Sequence, residues 1–147
     1  MITVTKRFNF DLAHRLDPEY KGLCKNLHGH TYICEVTVSA KKVDEHGMIM
    51  DFGDIKKYFE GWIKDNWDHA VVIHVDDRDL IDWCEDNEQR YYKMPPEYTT
   101  TAESMVRFLA ELFSSFLKEK DIFTPRGITL EHLKLHETQD SWAEWSK

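Results

Sequence analysis

Cys24-Lys25-Asn26-Leu27-His28-Gly29-His30 sets a thiol, with three residues between, ahead of a pair of imidazoles that share one strand face. Side chains alternate across a strand with period two, so His28 and His30 point the same way. Two neutral imidazoles converging from one face make two-thirds of a catalytic zinc site, which ordinarily takes three protein ligands and keeps a position open. His14 supplies a third. Ile2, Val4, Phe8, Phe10 and Leu12 place apolar residues in one phase that continues onto His14, while Arg7, Asn9 and Asp11 take the other face. A lone histidine on an apolar face is ordinarily a packed core residue. Three in compatible phase beside a thiol form a stronger pattern.

The elements that must position these groups are two strands, at 2–14 and 28–43. Paired as antiparallel neighbours, they bring His14 beside His28 and His30, and the loop from Leu16 to Leu27 suspends Cys24 above the metal. Tyr32, Cys34, Val36 and Val38 follow the histidines in phase. The second strand ends at Asp44-Glu45-His46-Gly47, a turn with Gly47 as its turn residue, and Met48-Ile49-Met50 is a short apolar piece that can continue the sheet.

Asp51 has the features of a helix N-cap, with Asp54 in the first turn. Phe52, Ile55, Phe59, Trp62 and Ile63 recur at helical spacing and are expected to face the sheet. Trp67-Asp68-His69-Ala70 follows; its Asp-His pair reads equally as a surface loop or as a proton relay in which a carboxylate orients an imidazole. Residues 74–98 are acidic, carry Met94-Pro95-Pro96 and read as an irregular surface excursion with one helical turn. Cys84, within an acidic run, is expected to have a raised pKa and to make a poor nucleophile. Thr99-Thr100-Thr101-Ala102-Glu103 reads as a helix start, with a threonine cap and an acidic first turn, for a second amphipathic helix running to about Lys120. Ile128, Leu130, Leu133 and Leu135 form a last strand whose phase slips, as a bulge would cause. Glu137 follows it, and the aromatic tail Ser141–Trp145 is suited to docking. The order gives a single α+β domain over 1–147: an antiparallel four-stranded sheet with two antiparallel helices on one face, and open edges that invite oligomerisation.

With 147 residues the chain can bury a substantial core, and three widely spaced cysteines argue for a reducing compartment, the cytoplasm, rather than a disulfide framework. No apolar run has the length of a membrane span. The net charge of −8 speaks against a nucleic-acid partner. An anionic small molecule needs local cations, for which Arg15, Lys21 and Lys25 stand near the proposed metal site; each reads equally as a solvated loop charge.

Phe10-Asp11-Leu12-Ala13-His14-Arg15-Leu16, the Cys24–His30 motif, Met50-Asp51-Phe52, Asp68-His69, Thr101-Ala102-Glu103 and His136-Glu137-Thr138 occur in this order, and over nearly its whole length the chain resembles the 6-pyruvoyltetrahydropterin synthase superfamily. The short cysteine-to-histidine spacer is similar to that of its bacterial 6-carboxytetrahydropterin synthase branch, which serves queuosine and 7-deazaguanine synthesis. The resemblance implies a tunnelling fold (T-fold) assembled as a hexamer of two trimers. It also implies Zn2+ on His14, His28 and His30, a proton-transferring Cys24, and Asp68 and His69 reaching Cys24 from a neighbouring subunit. Glu137 would anchor the pterin ring and Thr101 would contact it. The implied reaction is conversion of dihydroneopterin triphosphate to 6-carboxytetrahydropterin, acetaldehyde and triphosphate. Two positions depart from the pattern: Ala102 stands where serine or threonine is usual, and 74–98 is longer than in compact relatives. The alternatives are pyruvoyl chemistry on the same substrate, a non-catalytic metal- or pterin-binding oligomeric module, and core histidines beside an incidental thiol.

Overall fold

The computed structural model describes residues 1–120 and 123–147. Strand β1 (Thr3–His14) pairs antiparallel with β2 (His28–Ser39) along its whole length, from Thr3 opposite Ser39 to His14 opposite His28. That register follows from burial. A slip of one residue would turn Phe8, Phe10 and Leu12 out of the core, where each is now under a tenth exposed. The second strand stops at Ser39 rather than reaching residue 43, and Met48-Ile49-Met50 stays outside the sheet, although Ile49 and Met50 are buried against the core.

The helical stretch after Asp51 comes in three consecutive pieces: α1 (Phe52–Ile55), a π-helical segment (Lys56–Glu60) and α2 (Gly61–Asn66). Asp51 caps it as expected, its carboxylate accepting from the Gly53 amide at 2.6 Å. Ile55, Phe59 and Ile63, each four apart, are fully buried, whereas Phe52 is half exposed and does not face the sheet. Residues 51–53 are all exposed, so Phe52 lies at the surface end of the stretch, ahead of the turn at which Ile55 enters the core. Trp67 then enters the centre of the core, stacked on Phe108 with centroids 5.8 Å apart.

Residues 74–98 are more ordered than their composition implies. β3 (Ala70–Ile73) adds to the outer edge of β1 in parallel, α3 (Arg78–Asp86) follows, and β4 (Tyr91–Lys93) adds to β3, again in parallel. A parallel pair needs a crossover, and α3 supplies it, packing Leu80, Ile81 and Cys84 with Ile73 in a small second core. Cys84 is buried there, and burial, more than Asp77, raises its pKa.

α4 (Ala102–Glu119) lays Met105, Leu109 and Phe113 against the sheet. Its cap is Thr101, whose Oγ1 accepts from the Ser104 amide at 3.3 Å. Thr101→Ala is expected to lower unfolding stability by about 1 kcal/mol in urea denaturation. β5 (Thr129–His136) pairs with β2, and the anticipated bulge lies at Glu131, where partners shift from Val38–Leu130 to Thr37–His132. The tail forms β6 (Trp142–Ser146) on the edge beyond β5. The sheet thus has six strands, not four, in the order β4-β3-β1-β2-β5-β6. Its central strands are antiparallel, and the chief additions are the parallel pair contributed by the 70–93 region.

Candidate active site and metal centre

The histidines converge where the β1–β2 hairpin ends. His14 and His28 face each other across the ladder, His30 lies opposite Leu12, and the three ring centroids are 4.7–5.4 Å apart. One ring nitrogen from each lies within 4.8 Å of the others. Gly29 permits this approach, since a Cβ there would sit 3.0 Å from the Leu12 carbonyl oxygen.

Two rings are oriented from behind. His14 Nδ1 lies 2.7 Å from the Thr100 carbonyl, and His28 Nδ1 lies 2.7 Å from the Asn26 carbonyl. A carbonyl only accepts, so each Nδ1 carries the proton and donates, which leaves the Nε2 lone pair free. Nε2 of His28 and Nε2 of His30 are buried with no hydrogen-bond partner. Burial, the dominant influence, holds His14 and His30 below the ordinary imidazole pKa, opposed by the Thr100 carbonyl at His14 and by the Glu137 charge at His30. Neutral imidazoles with orphaned, convergent nitrogens are what a divalent metal requires. The three residues fit such an ion.

A cavity of about 290 Å³ opens beside this group, lined by His14, Cys24, Thr101, Glu103, Glu137 and Trp142 among others. Cys24 sits on a single 3-10 turn, Leu23–Lys25, and its carbonyl accepts from the Leu16 amide at 2.9 Å. Backbone, not side chain, anchors the thiol. Glu137, just past β5, places Oε1 3.5 Å from His30 Nε2. Tyr32 reaches the same carboxylate, donating from its hydroxyl at 3.4 Å, and lies 3.3 Å from His14 Nε2. Burial first, and then Glu137, push the Tyr32 hydroxyl far above the usual phenol range, so it remains a donor. Tyr32 shares the phase of the histidines in the sequence, and that phase was the only signal of its place here. Ala102 also lines the cavity, and the aromatic tail closes one side through Trp142.

Asp68 and His69 are elsewhere in the chain. Asp68 Oδ1 accepts from the Asp11 amide and from His69 Nδ1, both at 3.0 Å, and the His69 amide donates to the Asp11 carbonyl at 2.7 Å. Asp11 alternates with Leu12 and His14, so the dyad hangs on the opposite face of β1. Thr31 donates to the Asp11 carboxylate at 2.5 Å on that face. His69, held at φ 57°, borders a second cavity of about 510 Å³ with Asp11, His30, Thr31 and Arg90, which includes neither Cys24 nor Glu137. Within one chain the dyad and the thiol are not brought into a common pocket.

Arg15 does not offer a free positive charge. Asp77 grips its guanidinium through two bonds of 2.7 and 2.6 Å, and the same contact holds the Asp77 carboxyl below the usual range. Lys21 and Lys25 remain exposed on the loop.

An α+β sheet protein with three histidines that could hold a metal ion, beside a cavity lined by a thiol and a carboxylate, is the class that fold and site define. The family model for 6-pyruvoyl tetrahydropterin synthase matches residues 3–147, and the chain belongs to that family. It is 35% identical over 146 residues to the 6-carboxy-5,6,7,8-tetrahydropterin synthase of Rickettsia conorii, covering 98% of this chain and 99% of that one. In fold it is similar to an uncharacterized protein from Wolinella succinogenes, with a TM-score of 0.78 at 22% identity over 99% of this chain and 98% of that chain. It is also similar to the 6-pyruvoyl tetrahydropterin synthase of Plasmodium falciparum, with a TM-score of 0.70 at 20% identity over 99% and 97% of the two chains. The fold is the tunnelling fold. Among the described residues no helix is long and apolar enough to cross a membrane.

Proposed function

We propose that this chain is a zinc-dependent 6-carboxy-5,6,7,8-tetrahydropterin synthase, a lyase converting 7,8-dihydroneopterin triphosphate to 6-carboxytetrahydropterin, acetaldehyde and triphosphate within 7-deazaguanine synthesis. The observation that carries the reading is the convergence of His14, His28 and His30, with two orphaned Nε2 atoms, beside a cavity that His14 lines together with Cys24 and Glu137. Full-length similarity to relatives named for the carboxy-forming activity favours it over the pyruvoyl product.

Zinc on the three histidines would supply Lewis acidity toward the hydroxyls of the substrate side chain. Everything else falls to the chain. Glu137 accepts two hydrogens from the guanidine-like edge of the pterin and fixes the ring's orientation. Tyr32, protonated and bonded to Glu137, holds that carboxylate in place. Thr101, on the cavity wall, contacts the ring. Cys24 exchanges protons with the substrate side chain as general base and acid. Asp68 orients the largely exposed His69 through Nδ1. Because the dyad lies away from its own Cys24, the relay is completed by a second copy, in a hexamer built from two trimers. The setting is the cytoplasm.

Incubating the zinc-loaded protein with dihydroneopterin triphosphate, following pterins by mass and trapping volatile aldehyde, tests the reading. A carboxylated pterin with one equivalent of acetaldehyde is expected. A pyruvoyl pterin without acetaldehyde would transfer the chain to the sister activity, and no turnover would leave a binding module.

A further inference from the structure

The Thr100 carbonyl orients the ring of His14, and Thr100 itself is held by a short chain of contacts that begins on α3. Its hydroxyl donates to the Arg15 backbone carbonyl at 2.7 Å. Arg15 in turn is gripped at two points by Asp77, through Nε at 2.7 Å and an Nη at 2.6 Å. Asp77 is the N-cap of α3 and accepts from the Leu80 amide at 3.3 Å. Thr100 and His14 are almost wholly buried, with 2% and 1% of their surface exposed, so neither has water as a substitute partner. A fork-to-carboxylate pair is directional as well as strong, and it restrains the Arg15 side chain, whose own backbone carbonyl is the one Thr100 contacts.

We infer that Asp77, acting through Arg15 and Thr100, is a positioning residue for the metal ligand His14. The inference rests on the three-histidine metal reading. It also gives the ordered 74–98 region a role in the site. Through this chain of contacts α3 clamps the end of β1, so that His14 is presented with its Nδ1 proton directed at Thr100 and its Nε2 directed at the metal. Residues that orient a metal-bound histidine from behind commonly alter metal affinity about 10- to 100-fold when lost. Asp77 stands further out than a direct partner, and the lower end of that range applies.

The test measures zinc affinity of the full-length chain by competition with a chromophoric chelator, and the ligand field of the Co2+-substituted protein. Asp77→Ser is the first variant, because serine still caps a helix but cannot hold a guanidinium at two points. Thr100→Val removes the hydroxyl while keeping the carbonyl. Arg78→Ala, which breaks only the exposed pair with Asp82, is the control. Each of the first two variants is expected to bind zinc roughly tenfold more weakly with altered cobalt bands, and the control to match the unmodified chain. The Asp77→Ser and Thr100→Val effects should not multiply in the double variant, since both cut one chain of contacts. Zinc affinity within twofold of the unmodified chain for Asp77→Ser, or a fully multiplicative double variant, would overturn the inference while leaving the metal reading standing. Failure of the unmodified chain to take up one zinc would overturn both.

Discussion

Cys24→Ala is expected to lower kcat by about 1,000-fold while leaving zinc stoichiometry intact and KM within a few-fold, measured by steady-state turnover of dihydroneopterin triphosphate. The size follows from the step the thiol serves, since a positioned acid–base group contributes roughly 100- to 10,000-fold. Among the described residues that line the cavity, Cys24 is the one thiol, and it stands on the loop between β1 and β2. The variant is structurally safe. What ties the 3-10 turn to the rest of the chain is the Cys24 carbonyl, which accepts from Leu16, and that bond does not involve the side chain. The other two cysteines, Cys34 and Cys84, are buried and cannot substitute for it. Unchanged turnover in Cys24→Ala would remove the thiol from the chemistry. A parallel loss of zinc would show that the defect is in the metal centre.

The second large effect is expected at His28. His28→Gln should lose stoichiometric zinc and with it at least about 1,000-fold in turnover, because several kcal/mol of charge stabilisation are lost and each ~1.4 kcal/mol is tenfold in rate. His28 is a better choice than His14 for this test. His14 is fully buried and bonded to Thr100, so its removal would orphan a carbonyl and confuse unfolding with metal loss, whereas His28 is only half-buried and bonds the exposed carbonyl of Asn26, close by in the chain. Chelation of the unmodified chain should give the same loss, restored by added zinc. The control is thermal unfolding of the metal-free forms: His28→Gln and the unmodified apoprotein should melt together. Full turnover without metal would end the zinc reading.

Both results probe groups that are legible in the sequence. The phase of His14, His28 and His30 can be read because alternation in a strand is a local property, and because two long strands joined by a loop pair most simply as neighbours. The cap at Asp51 and the threonine cap within 99–101 can be read for the same reason: a helix start is decided by a side chain and the amides two or three residues on. The slip between Leu130 and Leu133 announces a bulge because it breaks a period that both flanks obey. Glu137 is marked by a resemblance that spans the chain, not by any local period.

Other features depend on contacts between residues far apart in sequence. Residues 74–98 look irregular because their charges and prolines mask a nine-residue helix and a three-residue strand. Their order comes from addition to the edge of β1 through β3, a parallel pairing that no local pattern reports. Arg15 reads as a free cation in the sequence, yet Asp77, 62 residues away, neutralises it. Thr100, 86 residues from His14, sets the tautomer of that ring, and Tyr32 meets Glu137 across 105 residues. By itself the sequence determined that His14, His28 and His30 share a face, since period and pairing fix a face. Only the tertiary structure decided what stands behind those side chains and that Asp68 and His69 hang on the opposite face of β1, because those partners are chosen by packing at long range.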